Sequence, residues 1–169
     1  MLNQLKDDHT NLISDFNISS FGTGKTGKDN FNWRTVTDNY LQENFYRSGP
    51  FQHDFLVGQN NEIAYVRFPA FTGIVDDKNL DFVLELYKNT KGLILDLREN
   101  DGGAVSDGFA ILERFIDAKT LLSYTRVKSG KGHNDFSSAE PTYIDPSSKV
   151  KYSGKLCLLI DRATFSTGS

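Results

Sequence analysis

Cysteine, methionine and tryptophan occur once each in this chain of 169 residues, and proline only four times. The single Cys157 excludes an internal disulfide and any multi-cysteine metal site. Its neighbours in Lys155-Leu-Cys-Leu-Leu-Ile160 predict a buried strand thiol. No run of about 18 apolar residues is present, so no segment reads as a membrane-spanning helix. Neither charge sign dominates: 19 basic and 22 acidic residues are interspersed for a net charge of −3. Without a basic face to neutralise a phosphate backbone, nucleic acid is not expected as a partner.

What the chain does have is the balance of a soluble globular domain, with 38% hydrophobic, 24% charged and 12% aromatic residues. At this length about 70% of the unfolded surface can be buried, enough for a real core. Both ends read as cut. Met1-Leu-Asn-Gln-Leu-Lys6 looks like the end of a helix, and the chain stops at Ser169 just where a helix should begin after Asp161. The expectation is a fragment, so the missing basic-then-apolar leader pattern says nothing about export.

Two regions differ in pattern. Residues 62–169 alternate strand-like and helix-like segments, as in a largely parallel sheet covered by helices. Glu62 to Phe68 reads as a strand closed by Pro69, and Lys78 to Asn89 places Leu80, Val83, Leu84 and Tyr87 at helical spacing. Gly92 to Leu97 is apolar without alternation, which fits a central parallel strand buried on both faces. Val105 to Ala118 aligns Val105, Phe109, Leu112 and Phe115 on one helical stripe, and Leu121 to Val127 returns to strand character. Lys128 to Lys149 is polar, carries Pro141 and Pro146, and reads as a long excursion before the strand Leu156 to Asp161. Residues 1–61 show no clean period and are expected to be a loop-rich segment packed on the sheet.

Three short stretches can carry chemistry. In Gly92-Leu-Ile-Leu-Asp-Leu-Arg98-Glu-Asn100-Asp-Gly102-Gly103 a buried strand runs into a polar turn and paired glycines that open a helix. Such carboxyl ends are where ligands bind, and glycines there let outward-pointing N–H groups approach developing negative charge. A plain strand-turn-helix connection explains the same residues. In Leu158-Leu-Ile-Asp161-Arg-Ala-Thr-Phe165-Ser166-Thr-Gly168 another apolar strand leads to a serine among small residues. A hydroxyl at such a tight turn can act as a nucleophile, with the N–H of Thr167 as an oxyanion donor, although a helix N-cap serine is the commoner role. In Leu5-Lys-Asp7-Asp8-His9-Thr10 a histidine follows two acids; His53 and His133 read as surface or loop residues.

Taken in order, Asp7-Asp8-His9-Thr10, Asp96 to Gly103 and Asp161 to Ser166 resemble the D-x-H-T, D-L-R-x-N-x-G-G and strand-turn-F/Y-S landmarks of the tail-specific (C-terminal processing) and tricorn-core serine peptidases. The likeness spans nearly the whole chain and is greatest to bacterial members without an inserted PDZ domain. It implies an α/β fold with a crotonase-like or ClpP-like core. It implies Ser166 as acyl-forming nucleophile, His9 as general base, and the N–H of Gly102 or Gly103 with that of Thr167 as oxyanion hole. The substrate would be a polypeptide, the compartment extracytoplasmic, and no cofactor or metal is called for. In one branch of this family a glutamate beyond the nucleophile orients the histidine, and in the other a downstream lysine is the base; either would lie beyond Ser169. Residues 1–169 alone are therefore expected to have little or no activity. Asp101 stands where the family commonly has glycine, and Ser169 where many members have glutamate. Asp8 as a local orienter of His9 is disfavoured, because neighbouring side chains diverge. The rival reading is a ligand- or peptide-binding protein on the same scaffold, since fold does not fix function.

Two other patterns mimic sites. Gly22-Thr-Gly24-Lys25-Thr-Gly27-Lys28-Asp29 looks like a phosphate-binding loop but has Asp where Ser or Thr must hold magnesium. His133, Asp135 and Glu140 have metal-capable atoms but no spacing that brings three together.

Overall fold

A computed structural model describes residues 2–7, 9–21 and 31–168. The phosphate-loop mimic at Gly22 to Lys28 lies outside them. At the centre is a five-stranded sheet in the order β3-β4-β5-β6-β9. Its strands are β3 (Tyr46–Ser48), β4 (Phe51–Phe55), β5 (Ile63–Arg67), β6 (Gly92–Asp96) and β9 (Lys155–Leu159). The hairpin β3-β4 runs antiparallel into β5, whereas β5, β6 and β9 are parallel, with Ile94 opposite Tyr65 on one side and Cys157 on the other.

Parallel neighbours need a crossover, and α3 (Asp77–Tyr87) provides it between β5 and β6. Asp76 caps its first turn by accepting the N–H of Lys78 at 2.8 Å. The helical spacing read from sequence is the buried face: Leu80, Val83, Leu84 and Tyr87 pack with Phe51, Ala64, Val66, Leu93 and Leu95. Because strand side chains alternate, Tyr65 and Ile94 point to the other face, where they meet Val36 and Leu41 from α2 (Trp33–Tyr40) and the residue after it. Both faces of β6 are thus covered, as its unbroken apolar run predicted.

Fully buried Arg114 joins the layers, donating to Asp77 (2.8 Å), to Asp81 and to the carbonyl of Val150 (2.8 Å). It ties the exit of α4 (Val105–Leu112) to the start of α3.

Several sequence expectations need correction. The first 61 residues hold more order than a loop-rich segment. Besides α2, β3 and β4 they contain α1 (Leu2–Leu5) and the hairpin of β1 (Asn11–Ser14) with β2 (Asn17–Ser20). The excursion after residue 128 contains β8 (Glu140–Ile144), which pairs antiparallel with β7 (Thr120–Thr125) despite Pro141. Proline is tolerated there because a two-stranded ribbon consists only of edges. The helix expected to reach Ala118 ends at Leu112, and its inward face carries Asp107 and Ile111. Val105 and Phe109 are exposed. Asp107 turns inward because its carboxylate accepts the N–H of Gly73 at 2.8 Å. Finally, β9 is an edge strand among the described residues, so Leu156 and Leu158 stay exposed, and so does Cys157, expected as a buried thiol. Apolar identity shows which surface a strand would bury, not whether a layer is present to bury it.

Candidate active site

Since β6 and β9 are parallel neighbours, the turns that follow them emerge side by side at one edge of the sheet. Asp96, fully buried at the end of β6, accepts the Tyr65 hydroxyl, the N–H of Arg98 (2.9 Å) and two guanidinium N–H groups of Arg98 (2.9 and 2.6 Å). Burial, with the Asp96 carboxylate second, pushes the Tyr65 phenol well above its usual range. The Asp and Arg of this motif hold the strand end; the chemistry falls to what comes next. Glu99 then takes a left-handed backbone (φ 62°), and Asn100 is driven back into the core with no exposed surface.

Asn100 organises both turns. Its side chain donates to the Phe68 carbonyl (2.8 Å) and accepts the N–H of Gly102 (2.8 Å), while its own carbonyl accepts the N–H of Phe165 (2.9 Å). Gly102 (φ 88°) and Gly103 (φ 130°) occupy conformations that side chains rarely adopt. Space adds a second demand. A Cβ on Gly102 would lie 2.6 Å from the Phe165 carbonyl, 2.7 Å from Ser166 Cβ and 3.0 Å from the Thr167 nitrogen, and one on Gly103 would overlap the Phe71 carbonyl. The paired glycines therefore lie in contact with the serine turn. The Gly102 N–H is committed to Asn100, and the Gly103 N–H donates to none of the described residues.

Asp161 builds the serine turn, accepting the N–H groups of Glu99, Ala163 and Thr164, each at 3.0 Å. Burial pushes its carboxyl upward, but the N–H groups of Glu99 and Ala163, together with Thr164, outweigh that and leave it below the usual carboxylate range. The Thr164 hydroxyl crosses to the carbonyl of Leu97 (2.9 Å). Ser166 is exposed, has φ 56°, and opens a single 3₁₀ turn, Ser166–Gly168. Thr167 donates its hydroxyl to the Gly103 carbonyl (2.9 Å), a further tie between the turns. A non-glycine residue in the left-handed region costs on the order of 1–3 kcal/mol and persists only where its surroundings impose it, as these bonds do.

His9 reaches the same place from the amino-terminal end, with its imidazole stacked on the Phe165 ring (centroids 4.4 Å apart, planes at 26°). Asp8, the disfavoured orienter, lies outside the described residues. His133 is exposed, as expected, but His53 is not a surface residue. It is fully buried, with Nε2 2.8 Å from the Ser48 hydroxyl and Nδ1 2.8 Å from the Tyr87 hydroxyl. Pairing of β4 between β3 and β5 draws it inward, a long-range effect that local pattern does not carry.

Beside Ser166 lies a groove of about 500 Å³ lined by Val105, Phe109, Leu112, Leu122 and Thr167. Its apolar walls explain why the outer stripe of α4 is hydrophobic although it misses the core. Among the described residues no group of three or more His, Cys, Asp or Glu side chains is placed to hold a metal ion. Sequence reasoning missed Asp161 and Phe165 as builders of this site; their spacing before Ser166 was visible, but their partners on the neighbouring turn were not.

Known proteins share this fold. The chain superposes on a crystal structure of a candidate peptidase from Parabacteroides merdae ATCC 43184 with a TM-score of 0.87 and 34% identity, over 99% of this chain and 52% of that one. It thus spans about half the length of that relative. Mature CPAF matches over 76% of this chain and 38% of its own at a TM-score of 0.57 and 16% identity, a likeness of fold alone. A family model, peptidase family S41, matches residues 62–169. With well over half its length covered, the chain belongs to peptidase family S41.

Proposed function

We propose that this chain carries the nucleophile, base and oxyanion donors of a serine peptidase on a crotonase-like α/β core. The observation that supports the reading is the close approach of Gly102 to Ser166 across the ends of two parallel strands, beside an exposed serine in a left-handed backbone.

In this reading the Ser166 hydroxyl attacks the scissile carbonyl and passes its proton to His9. The N–H groups of Gly103 and Thr167 hold the oxygen as it becomes anionic. Collapse of the tetrahedral intermediate breaks the C–N bond, the protonated His9 gives its proton to the leaving amine, and an acyl-enzyme on Ser166 remains. Water, deprotonated by His9, then releases the acid and restores the hydroxyl. The groove along α4 takes an apolar side chain next to the scissile bond. Polypeptide in an extracytoplasmic compartment is the proposed substrate.

The test is labelling by a fluorophosphonate probe, with the adduct located by mass spectrometry. Modification of Ser166 in the native chain and none in Ser166→Ala is expected. Absence of any serine adduct, together with peptide binding, would favour the ligand-binding alternative. A His9→Ala variant that labels at the native rate would remove His9 as the base.

A further inference from the structure

The Ser166–His9 reading, on which this inference rests, calls for a carboxylate to hold the imidazole, and the family likeness puts that group beyond Ser169. The turn around His9 contains one already. Lys6 adopts a left-handed backbone (φ 51°), and the N–H of Thr10 donates to the carbonyl of Asp7 at 3.3 Å, which brings Thr10 back beside Asp7. The Asp7 side chain reaches both Thr10 and His9. Oδ2 accepts the Thr10 hydroxyl, and Oδ1 accepts the backbone N–H of His9 at 3.1 Å and lies 3.5 Å from His9 Nδ1.

We propose that Asp7 is the positioning residue for His9, holding Nδ1 so that Nε2 is the nitrogen turned to the Ser166 hydroxyl. Three observations converge on it. Asp7 accepts two hydrogen bonds apart from its contact with the imidazole, from the His9 N–H and the Thr10 hydroxyl, and these orient its carboxylate. The Phe165 ring lies against one face of the imidazole and restricts its rotation, and Phe165 directly precedes Ser166. The Thr10 hydroxyl first, and the His9 N–H second, hold the Asp7 carboxyl below the usual carboxylate range, so it is anionic wherever a peptidase of this kind would work.

An anion at Nδ1 does two things for a general base. It selects the neutral tautomer with the proton on Nδ1, leaving Nε2 as acceptor, and it stabilises the imidazolium formed when Ser166 is deprotonated. Both side chains are about half exposed, 48% for Asp7 and 59% for His9, so water competes. A buried orienting aspartate contributes about 10⁴ in kcat; here about 10²-fold is expected.

The experiment uses the 169-residue chain and four variants, Asp7→Asn, Asp7→Glu, His9→Ala and Ser166→Ala. The readouts are the rate of Ser166 labelling by a fluorophosphonate and the ring ¹⁵N shifts of His9, which report its tautomer. Asparagine keeps one oxygen to accept the His9 N–H, and its amide N–H can donate to the Thr10 hydroxyl oxygen in place of the bond that Oδ2 accepted, so a purely structural role would survive the first substitution. Labelling of Asp7→Asn about 100-fold slower than native is expected, with Asp7→Glu recovering most of it and the neutral proton moving from Nδ1 toward Nε2 in Asp7→Asn. If Asp7→Asn labels at the native rate while His9→Ala and Ser166→Ala do not label, Asp7 has no positioning role and the Ser166–His9 reading stands. Labelling of another serine that persists in Ser166→Ala overturns both. Should the native chain not label, the tautomer decides, and identical ring shifts in native and Asp7→Asn chains overturn the proposal.

Discussion

The carbonyl of Asn100 accepts the N–H of Phe165 at 2.9 Å, so a residue in the turn after β6 holds the residue that precedes the candidate nucleophile in the turn after β9. The Asn100 side chain also accepts from Gly102 and donates to Phe68. One buried residue thereby ties the turn that carries the paired glycines to the turn that carries Ser166.

Asn100→Ala removes two side-chain hydrogen bonds and leaves a buried N–H and a buried carbonyl without partners. Leaving such groups unsatisfied costs about 1–3 kcal/mol each, so a loss of roughly 2–6 kcal/mol is expected in urea unfolding. Ser166 labelling should fall with it even at temperatures where the variant stays folded. A variant as stable as the native chain would show that water replaces both bonds.

The two glycines should respond differently to alanine. At Gly102 the new methyl meets Ser166 Cβ at 2.7 Å and the Phe165 carbonyl at 2.6 Å, within the serine turn itself, so the main loss is in labelling. At Gly103 it meets the Phe71 carbonyl, part of a bridge that also includes the Ala104 N–H to Phe71 bond (2.7 Å), and cannot be relieved without moving backbone. Gly103→Ala is therefore expected to be the less stable of the two, by about 1 kcal/mol or more in urea unfolding. The reverse order would mean that the serine turn, not the Phe71 bridge, is the rigid partner.

Among the histidines, His9→Ala should lower labelling of Ser166 by orders of magnitude and His133→Ala should leave it unchanged. His53→Ala, by contrast, opens a buried space among Tyr46, Phe82 and Tyr87 and strands the Ser48 and Tyr87 hydroxyls. A loss of about 2–4 kcal/mol is expected, against no more than about 0.5 kcal/mol for His133→Ala. Thermal melts of the three variants decide it.

Burial holds the His53 imidazole below its usual pKa, with the Asp54 carboxylate opposing in part. The unfolded chain therefore binds a proton at this position at higher pH than the folded one. The sign follows: the stability from keeping His53 neutral is fully present above the unfolded value near 6.5 and is lost as the pH falls from there through the folded value. Tm should drop between pH 7 and pH 5 more steeply in the native chain than in His53→Gln, which has no such proton to take up. Parallel curves would remove His53 as the cause.

Phe109 and Leu122 face the groove beside Ser166 and contribute little to the core. Phe109→Asp should leave the melting temperature within a few degrees yet slow acylation by substrates with an apolar residue at the scissile bond, and it should slow those with a basic residue less. Equal effects on both substrates would detach the groove from specificity.

Periodicity in the sequence determined the crossover helix α3 and the central strand β6, and the resemblance of three short landmarks to a known family singled out Ser166, His9, Gly102, Gly103 and Thr167 as the residues to watch. Those features are local: a helix face, an apolar run and a glycine pair are written in consecutive residues. Only the tertiary structure decided that β9 lies beside β6, and from that register alone follow the contact of Gly102 with Ser166 and the role of Asn100. It also decided that His53 is buried, that Cys157 is not, and that the hydrophobic stripe of α4 lines a groove instead of the core. Burial is set by which elements pair over long separations, and composition along a strand or helix carries no record of its partner. The placement of Asp7 against His9 depends on the left-handed turn at Lys6, where no glycine advertises it.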